Sequence, residues 1–142
     1  MERPVYIDRI PDRAVRLHES LYTIRWSDMD AFGHVNNAMY FTYFEQVRID
    51  WLGTLGSGHR LVLATVGCTF REAVVYPATL RVRLYAGRVG RSSLDTWYEI
   101  LDADDGRLYT VGHGTIVWYD HEAGHAIPMP PEVRAALPPN PL

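Results

Sequence analysis

The sequence contains no lysine: all 14 of its basic residues are arginine. A P-loop lysine, a Schiff-base lysine and a lysine general base are thereby excluded. Cysteine is almost as scarce. The one thiol, Cys68, lies in the apolar run 61–68, so an intrachain disulfide is impossible and a buried thiol is expected rather than a reactive nucleophile. No stretch approaches the ~18 apolar residues of a membrane span. The first residues, Met1-Glu2-Arg3-Pro4-Val5-Tyr6, lead into further charges and not into the apolar core of a signal peptide. A soluble, cytoplasmic protein without a membrane span is the expectation. Positive charge is not in excess either: the net charge is −3 and the arginines are scattered, which gives nucleic-acid binding no electrostatic support. Ser57 stands in Gly56-Ser57-Gly58 without the Gly-x-Ser-x-Gly elbow, so a serine-hydrolase triad has no basis. His121 and His125 span a turn with no cysteine or third carboxylate at ligand spacing, and neither a metal nor a cofactor is expected.

What is present suits one folded domain. A hydrophobic share of 47% over 142 residues supplies one core and too little for two. Residues 1–19 mix charges with Pro4 and Pro11 and read as an N-terminal arm. The β-branched and aromatic run 21–26 suits a strand. Behind Asn36 or Asn37, either able to cap, apolar residues recur at helical spacing through Ala38, Phe41, Phe44 or Val47 and Trp51, and Gly53 closes the segment. Tyr40, Tyr43 and Leu52 spread the apolar surface around that helix, so it should be wrapped by other structure. Strand-like runs follow at 61–72, 79–88, 92–102 and 107–120, then a short hairpin through 121–124, a turn of helix over 131–137 and a Pro-rich tail, 138–142. In Leu80-Arg81-Val82-Arg83-Leu84 one sheet face is dry and the other wet. One strand, one long apolar helix and four further strands imply an α+β domain, 20–137, in which an antiparallel sheet curls around the helix.

The densest polar cluster, 27–37, lies between the first strand and the helix. A helix N-terminus offers unpaired N–H groups and partial positive charge, which polarise a carbonyl oxygen as it becomes an oxyanion. Just upstream stands Asp30, in a loop that Gly33 allows to bend back. An ionised aspartate is ready to attack or to activate water. A thioester matches this modest equipment, because a leaving thiol with a pKa near ~8.5 departs without a strong acid. Capping and turn chemistry alone would also produce such a loop.

The whole pattern Asp28-x-Asp30-x-x-Gly33-His34-Val35-Asn36-Asn37-x-x-Tyr40-x-x-Tyr43-x-Glu45-x-x-Arg48 closely resembles the signature of the 4-hydroxybenzoyl-CoA thioesterase-like hotdog family. The likeness continues through Gly90-Arg91-Ser92-Ser93 at the start of a strand and Gly114-Thr115-Ile116-Val117-Trp118 in the last one, covering residues 20 to about 137. The resemblance implies a hotdog fold, a five-stranded antiparallel sheet wrapped around one central α-helix, assembled as a homodimer or homotetramer with active sites at subunit interfaces. It places the catalytic carboxylate on Asp30, as nucleophile or general base, and the oxyanion donor at Asn37, with Asn36 beside it. Where benzoyl-type members continue Pro-Ala-Gly-Ile-Val, this chain has Ala31-Phe32-Gly33-His34-Val35, a version more like the fatty acyl-CoA branch. The implied substrate is a medium or long acyl-CoA, with coenzyme A a part of the substrate and not a cofactor.

Several further residues are candidates. His34 could orient Asp30 or serve the loop, and Tyr40 faces the expected acyl channel. Glu45 is a second carboxylate, with an i, i+3 ion pair to Arg48 as its plainer reading. Arg88, Arg91 and Ser92 are suited to the CoA phosphates, because guanidinium forks match phosphate oxygens. Asp28 should serve its own turn. Two rival functions share the fold: a non-catalytic acyl-CoA-binding dimer, and an acyl-CoA hydratase, whose Gly-Asp-x-Asn-Pro-x-His pattern is missing here.

Overall fold

The computed structural model describes residues 7–58 and 60–139; residues 1–6 of the expected arm and 140–142 of the expected tail lie outside them. In chain order the elements are β1 (Val15–Thr23), a 3-10 turn (Trp26–Asp28), α1 (Asn37–Thr54), β2 (Leu61–Phe70), β3 (Thr79–Val89), β4 (Ser93–Asp102), β5 (Leu108–Asp120), β6 (His125–Ala126) and α2 (Pro131–Ala135). Five long strands form an antiparallel sheet in the order β1-β3-β4-β5-β2, and β6 adds a short pairing to β5. This is the hotdog arrangement, one long helix against one curved antiparallel sheet.

The strands follow from their two-residue period. Along β3, Leu80, Val82, Leu84 and Ala86 are buried, and Arg81 and Arg83 point the other way, each bonding Glu19 of β1 at 2.8 Å. β1 is where the sequence reading was displaced. It opens at Val15, inside the segment read as an arm, and ends at Thr23, so Trp26 belongs to the turn that follows. Arg16, His18 and Glu19 hide the apolar alternation there, because an edge strand is held by ladder bonds to β3 more than by burial.

Helix α1 buries Tyr40, Tyr43, Phe44, Val47, Trp51 and Leu52. Phe44 stacks on Tyr98 with ring centres 4.5 Å apart and rests on Gly112, where a Cβ would stand 2.6 Å from its ring. The helix closes one turn later than expected. Gly56, with φ +63°, takes the closing position expected of Gly53, and the Ser57 N–H bonds the Leu52 carbonyl.

The helix runs closest to β1 and β3, on one side of the sheet. Strand β2, at the opposite edge, is therefore half covered. Its Leu61, Leu63, Val66, Cys68 and Phe70 pair with Trp118, Ile116, Gly114, Gly112 and Thr110, the row that faces the helix. Even so, Leu63, Val66 and Phe70 stay 38–41% exposed. An apolar trough thus lies along the flank of α1.

Candidate active site

Loop 24–36 is pinned from three sides. The Ile24 N–H bonds the Ala78 carbonyl, the Val35 N–H the Val74 carbonyl at 2.8 Å, and the Asn36 N–H the Asp28 carbonyl. Within it, Met29 and Val35 form a β-bridge, and Asp30 to His34 close a tight reverse turn: Gly33 N–H to Asp30 carbonyl and Asp30 N–H to His34 carbonyl, each 3.1 Å. Gly33 has φ +84°, a conformation that a side chain would strain. The first motif aspartate anchors this loop. Asp28, 4% exposed, accepts from the Arg25 N–H and guanidinium and from the Tyr43 hydroxyl, all at 3.0–3.1 Å. Burial pushes its carboxyl upward, and these donors more than offset that, holding it below the usual aspartate value.

Asp30 is the half-buried carboxylate at the tip. Its Oδ1 accepts from the Phe32 N–H at 2.8 Å, and its Oδ2 has no protein partner among the described residues. At the start of α1 the Asn36 side chain takes the Ala38 N–H at 2.9 Å and the Asn36 carbonyl takes the Met39 N–H. The Asn37 N–H, one residue earlier, is left without an acceptor among the described residues. A carboxylate with a free oxygen and an uncommitted helix-terminal N–H therefore belong to the same short loop, the pair that acyl transfer to water requires.

At the helix start a cavity of about 140 Å³ is lined by His34, Asn37, Tyr40, Phe70, Arg71, Glu72 and Ala73; Asp30 is not in its wall. His34 contributes its carbonyl to Asp30 and its ring to this wall, stacked on Phe32 at 6.5 Å. Tyr40 is fixed by the Val74 N–H, which bonds its hydroxyl at 3.3 Å, and by its edge-to-face contact with Phe70. In the sequence, residues 70–72 read only as the end of a strand, which closes at Phe70, and nothing marks 70–73 for the site. They reach the site only because the β2–β3 connection folds over the helix start. Cys68 lies nearby in β2, and burial pushes its thiol up to about 11, which keeps it protonated and inert at neutral pH.

The remaining candidates lie elsewhere. Arg88, Arg91 and Ser92 sit at the β3–β4 hairpin, the sheet end opposite Asp30, about 30 Å away along a ten-residue strand. Glu45 is exposed on α1, and its expected ion pair with Arg48 is not formed. Arg48 turns inward instead, is 6% exposed, and bonds the Tyr98 hydroxyl at 3.1 Å. Of the aromatic residues of α1, Tyr43 and Phe44 are spent on the core, and Tyr40, also buried, lines the small cavity, so the open apolar surface is that of β2. Among the described residues no cluster of histidine, cysteine or acidic side chains could hold a metal ion.

Known proteins agree with this geometry. A sequence profile of the thioesterase-like superfamily matches residues 24–137. The chain is 30% identical to the uncharacterised protein YsmA of Bacillus subtilis over 96% of its own length and 97% of that protein. The solved structure of the PA2801 protein of Pseudomonas aeruginosa, described as a candidate thioesterase, superposes with a TM-score of 0.80 at 40% identity, over 85% of this chain and 98% of that one. A candidate acyl-CoA thioesterase from Xanthomonas campestris superposes at 0.69 with 36% identity, over 75% and 95% of the two chains. With its helix, sheet and polar loop arranged as described, the chain belongs to the thioesterase-like superfamily and is a thioester hydrolase.

Proposed function

We propose that this protein hydrolyses fatty acyl-CoA of medium or long chain to the free acid and CoA. The observation that carries the reading is that Asp30, with its Oδ2 free, lies in the loop that leads into α1, whose first residue, Asn37, has an uncommitted N–H. The thioester carbonyl oxygen accepts from the Asn37 N–H, and Asp30 either attacks the carbonyl carbon or takes a proton from the attacking water. The tetrahedral intermediate collapses by breaking the carbon–sulfur bond, and the CoA thiolate leaves unaided; where Asp30 is the nucleophile, water then hydrolyses the acyl-aspartyl anhydride, releasing the free acid and restoring the carboxylate. Asn36 holds the helix start, and His34 and Tyr40 shape the wall against which the acyl group lies. The trough over Phe70, Cys68, Val66 and Leu63 offers the apolar surface that an alkyl chain needs, which favours a fatty over an aryl group.

A second copy completes this reading. Strand β2 carries no charged residue from Leu61 to Phe70, whereas β1, the other edge, carries Arg16, His18 and Glu19. Charges guard an edge against pairing, so β2 is the edge that joins two chains. Antiparallel pairing of β2 about a two-fold reverses one sheet against the other. It turns the end bearing Arg88, Arg91 and Ser92 of the partner subunit towards Asp30, two to three strands (about 10–14 Å) in from the shared edge. There the two arginines meet the CoA phosphates.

Thiol release from acyl-CoAs of short, long and aromatic type, measured on the wild type and Asp30→Asn, tests the reading. Loss of about 10²–10⁴-fold in the variant, with an unchanged circular dichroism spectrum, is expected. Wild-type protein that binds acyl-CoA yet releases no thiol would replace the enzyme with an acyl-CoA-binding module.

A further inference from the structure

We propose that the acyl chain this protein hydrolyses ends in a carboxylate, which the Arg48 guanidinium binds at the far end of the apolar trough. The substrate class is then the CoA thioester of a long-chain α,ω-dicarboxylic acid. The proposal rests on the thioesterase reading above and narrows its acyl group.

The trough has two ends, and each is a cavity between α1 and β2. One lies at the helix start, where Asn37 and Tyr40 face Phe70. The other, of about 230 Å³, is lined by Glu45, Arg48, Ile49 and Leu52 of α1 and by Leu61 and Leu63 of β2. Between the two, β2 offers Val66 and Cys68. From Asn37 to Arg48 is three helical turns and about 20°, so both stand on one face of α1, about 16 Å apart along its axis. A helical side chain leans back towards the N-terminus, which brings the guanidinium to roughly 12–14 Å, the span of an extended chain of about ten to twelve carbons.

What a chain end meets there is not apolar. Arg48 is 6% exposed, and among the described residues only one of its N–H groups has a protein acceptor, the Tyr98 hydroxyl at 3.1 Å. No carboxylate among them pairs with it: Glu45, on the same wall, is exposed, and the Tyr98 hydroxyl leads on only to Thr96 and the Gly114 carbonyl. The same end of the sheet holds a second donor without an acceptor, the buried indole N–H of Trp118, whose strand partner Leu61 is in the cavity wall. A buried guanidinium without an anion is costly, and a carboxylate matches its fork with two parallel hydrogen bonds. An alkyl end would displace water from Arg48 and return nothing to it. A carboxylate end supplies the missing charge, while the methylenes behind it lie along Leu63, Val66 and Cys68.

The test compares thiol release from dodecanoyl-CoA with release from the mono-CoA thioester of dodecanedioic acid. Wild-type kcat/KM should be about tenfold or more higher for the dicarboxylic thioester, and the difference should lie in KM, because the contact is remote from the reacting carbon. Among ω-carboxyl chains of eight, twelve and sixteen carbons, twelve should be preferred. Arg48→Met should bring the ratio of the two twelve-carbon substrates to one or below, and Arg48→Lys, which keeps the charge without the fork, should retain part of it. A merely structural arginine would lower both rates alike, so an unchanged ratio in a folded Arg48→Met chain overturns the proposal. The wild-type ratio decides even where Arg48→Met fails to fold. Hydrolysis of dodecanoyl-CoA as fast as that of the dicarboxylic thioester overturns the proposal and leaves a fatty acyl-CoA thioesterase standing; no thiol release from any chain removes the reading on which it rests.

Discussion

Two aspartates two residues apart do opposite things, and their hydrogen bonds decide which. Asp28 is saturated by the Arg25 and Tyr43 donors, so its carboxylate is committed to holding the loop; Asp30 keeps an oxygen free. Because the folded Asp28 carboxyl is held below its unfolded value, the stabilisation is complete above about pH 5 and is lost as pH falls through its folded pKa. Asp28→Asn should therefore cost about 1–3 kcal/mol in urea unfolding at pH 7. The gap between variant and wild type should close progressively at pH 4 and below. A gap independent of pH would show that the charge is not what anchors the loop.

Among the elements, α1 is set by a contact that no periodicity reveals. It approaches the sheet closely because Gly112 leaves room on β5, and Phe44 occupies that space. Gly112→Ala would put a Cβ 2.6 Å from that ring. A loss of about 1–3 kcal/mol follows from overpacking, and Phe44→Leu in the same chain should recover part of it. Thermal melts of the single and double variants measure this coupling. If the two losses simply add, the helix is not seated on that glycine.

At the scale of the whole molecule, one chain separates the carboxylate from the arginines by the length of the sheet, so activity should depend on the pair of chains. Asp30→Asn and Arg88→Ala/Arg91→Ala chains, each deficient alone, should complement on mixing. Half of the randomly assorted dimers carry one intact site, and thiol release should recover to about a quarter of the wild-type rate. No recovery, with exchange of subunits verified, would mean that each chain builds its site alone.

The sequence by itself determined the hotdog order of elements, the buried helix and the polar loop at its start, because alternation, apolar spacing and capping residues act over a few positions and leave local marks. Asp30, Asn36 and Asn37 were legible for the same reason: loop, cap and helix start are contiguous. Only the tertiary structure decided that β1 begins at Val15, since an edge strand is defined by its ladder and not by its burial. It alone brought residues 70–73 to the helix start and sent Arg88, Arg91 and Ser92 to the far end of the sheet. It also turned Arg48 inward to Tyr98 and away from Glu45, because fifty positions of chain separate that arginine from the hydroxyl it bonds, and only packing measures such a distance.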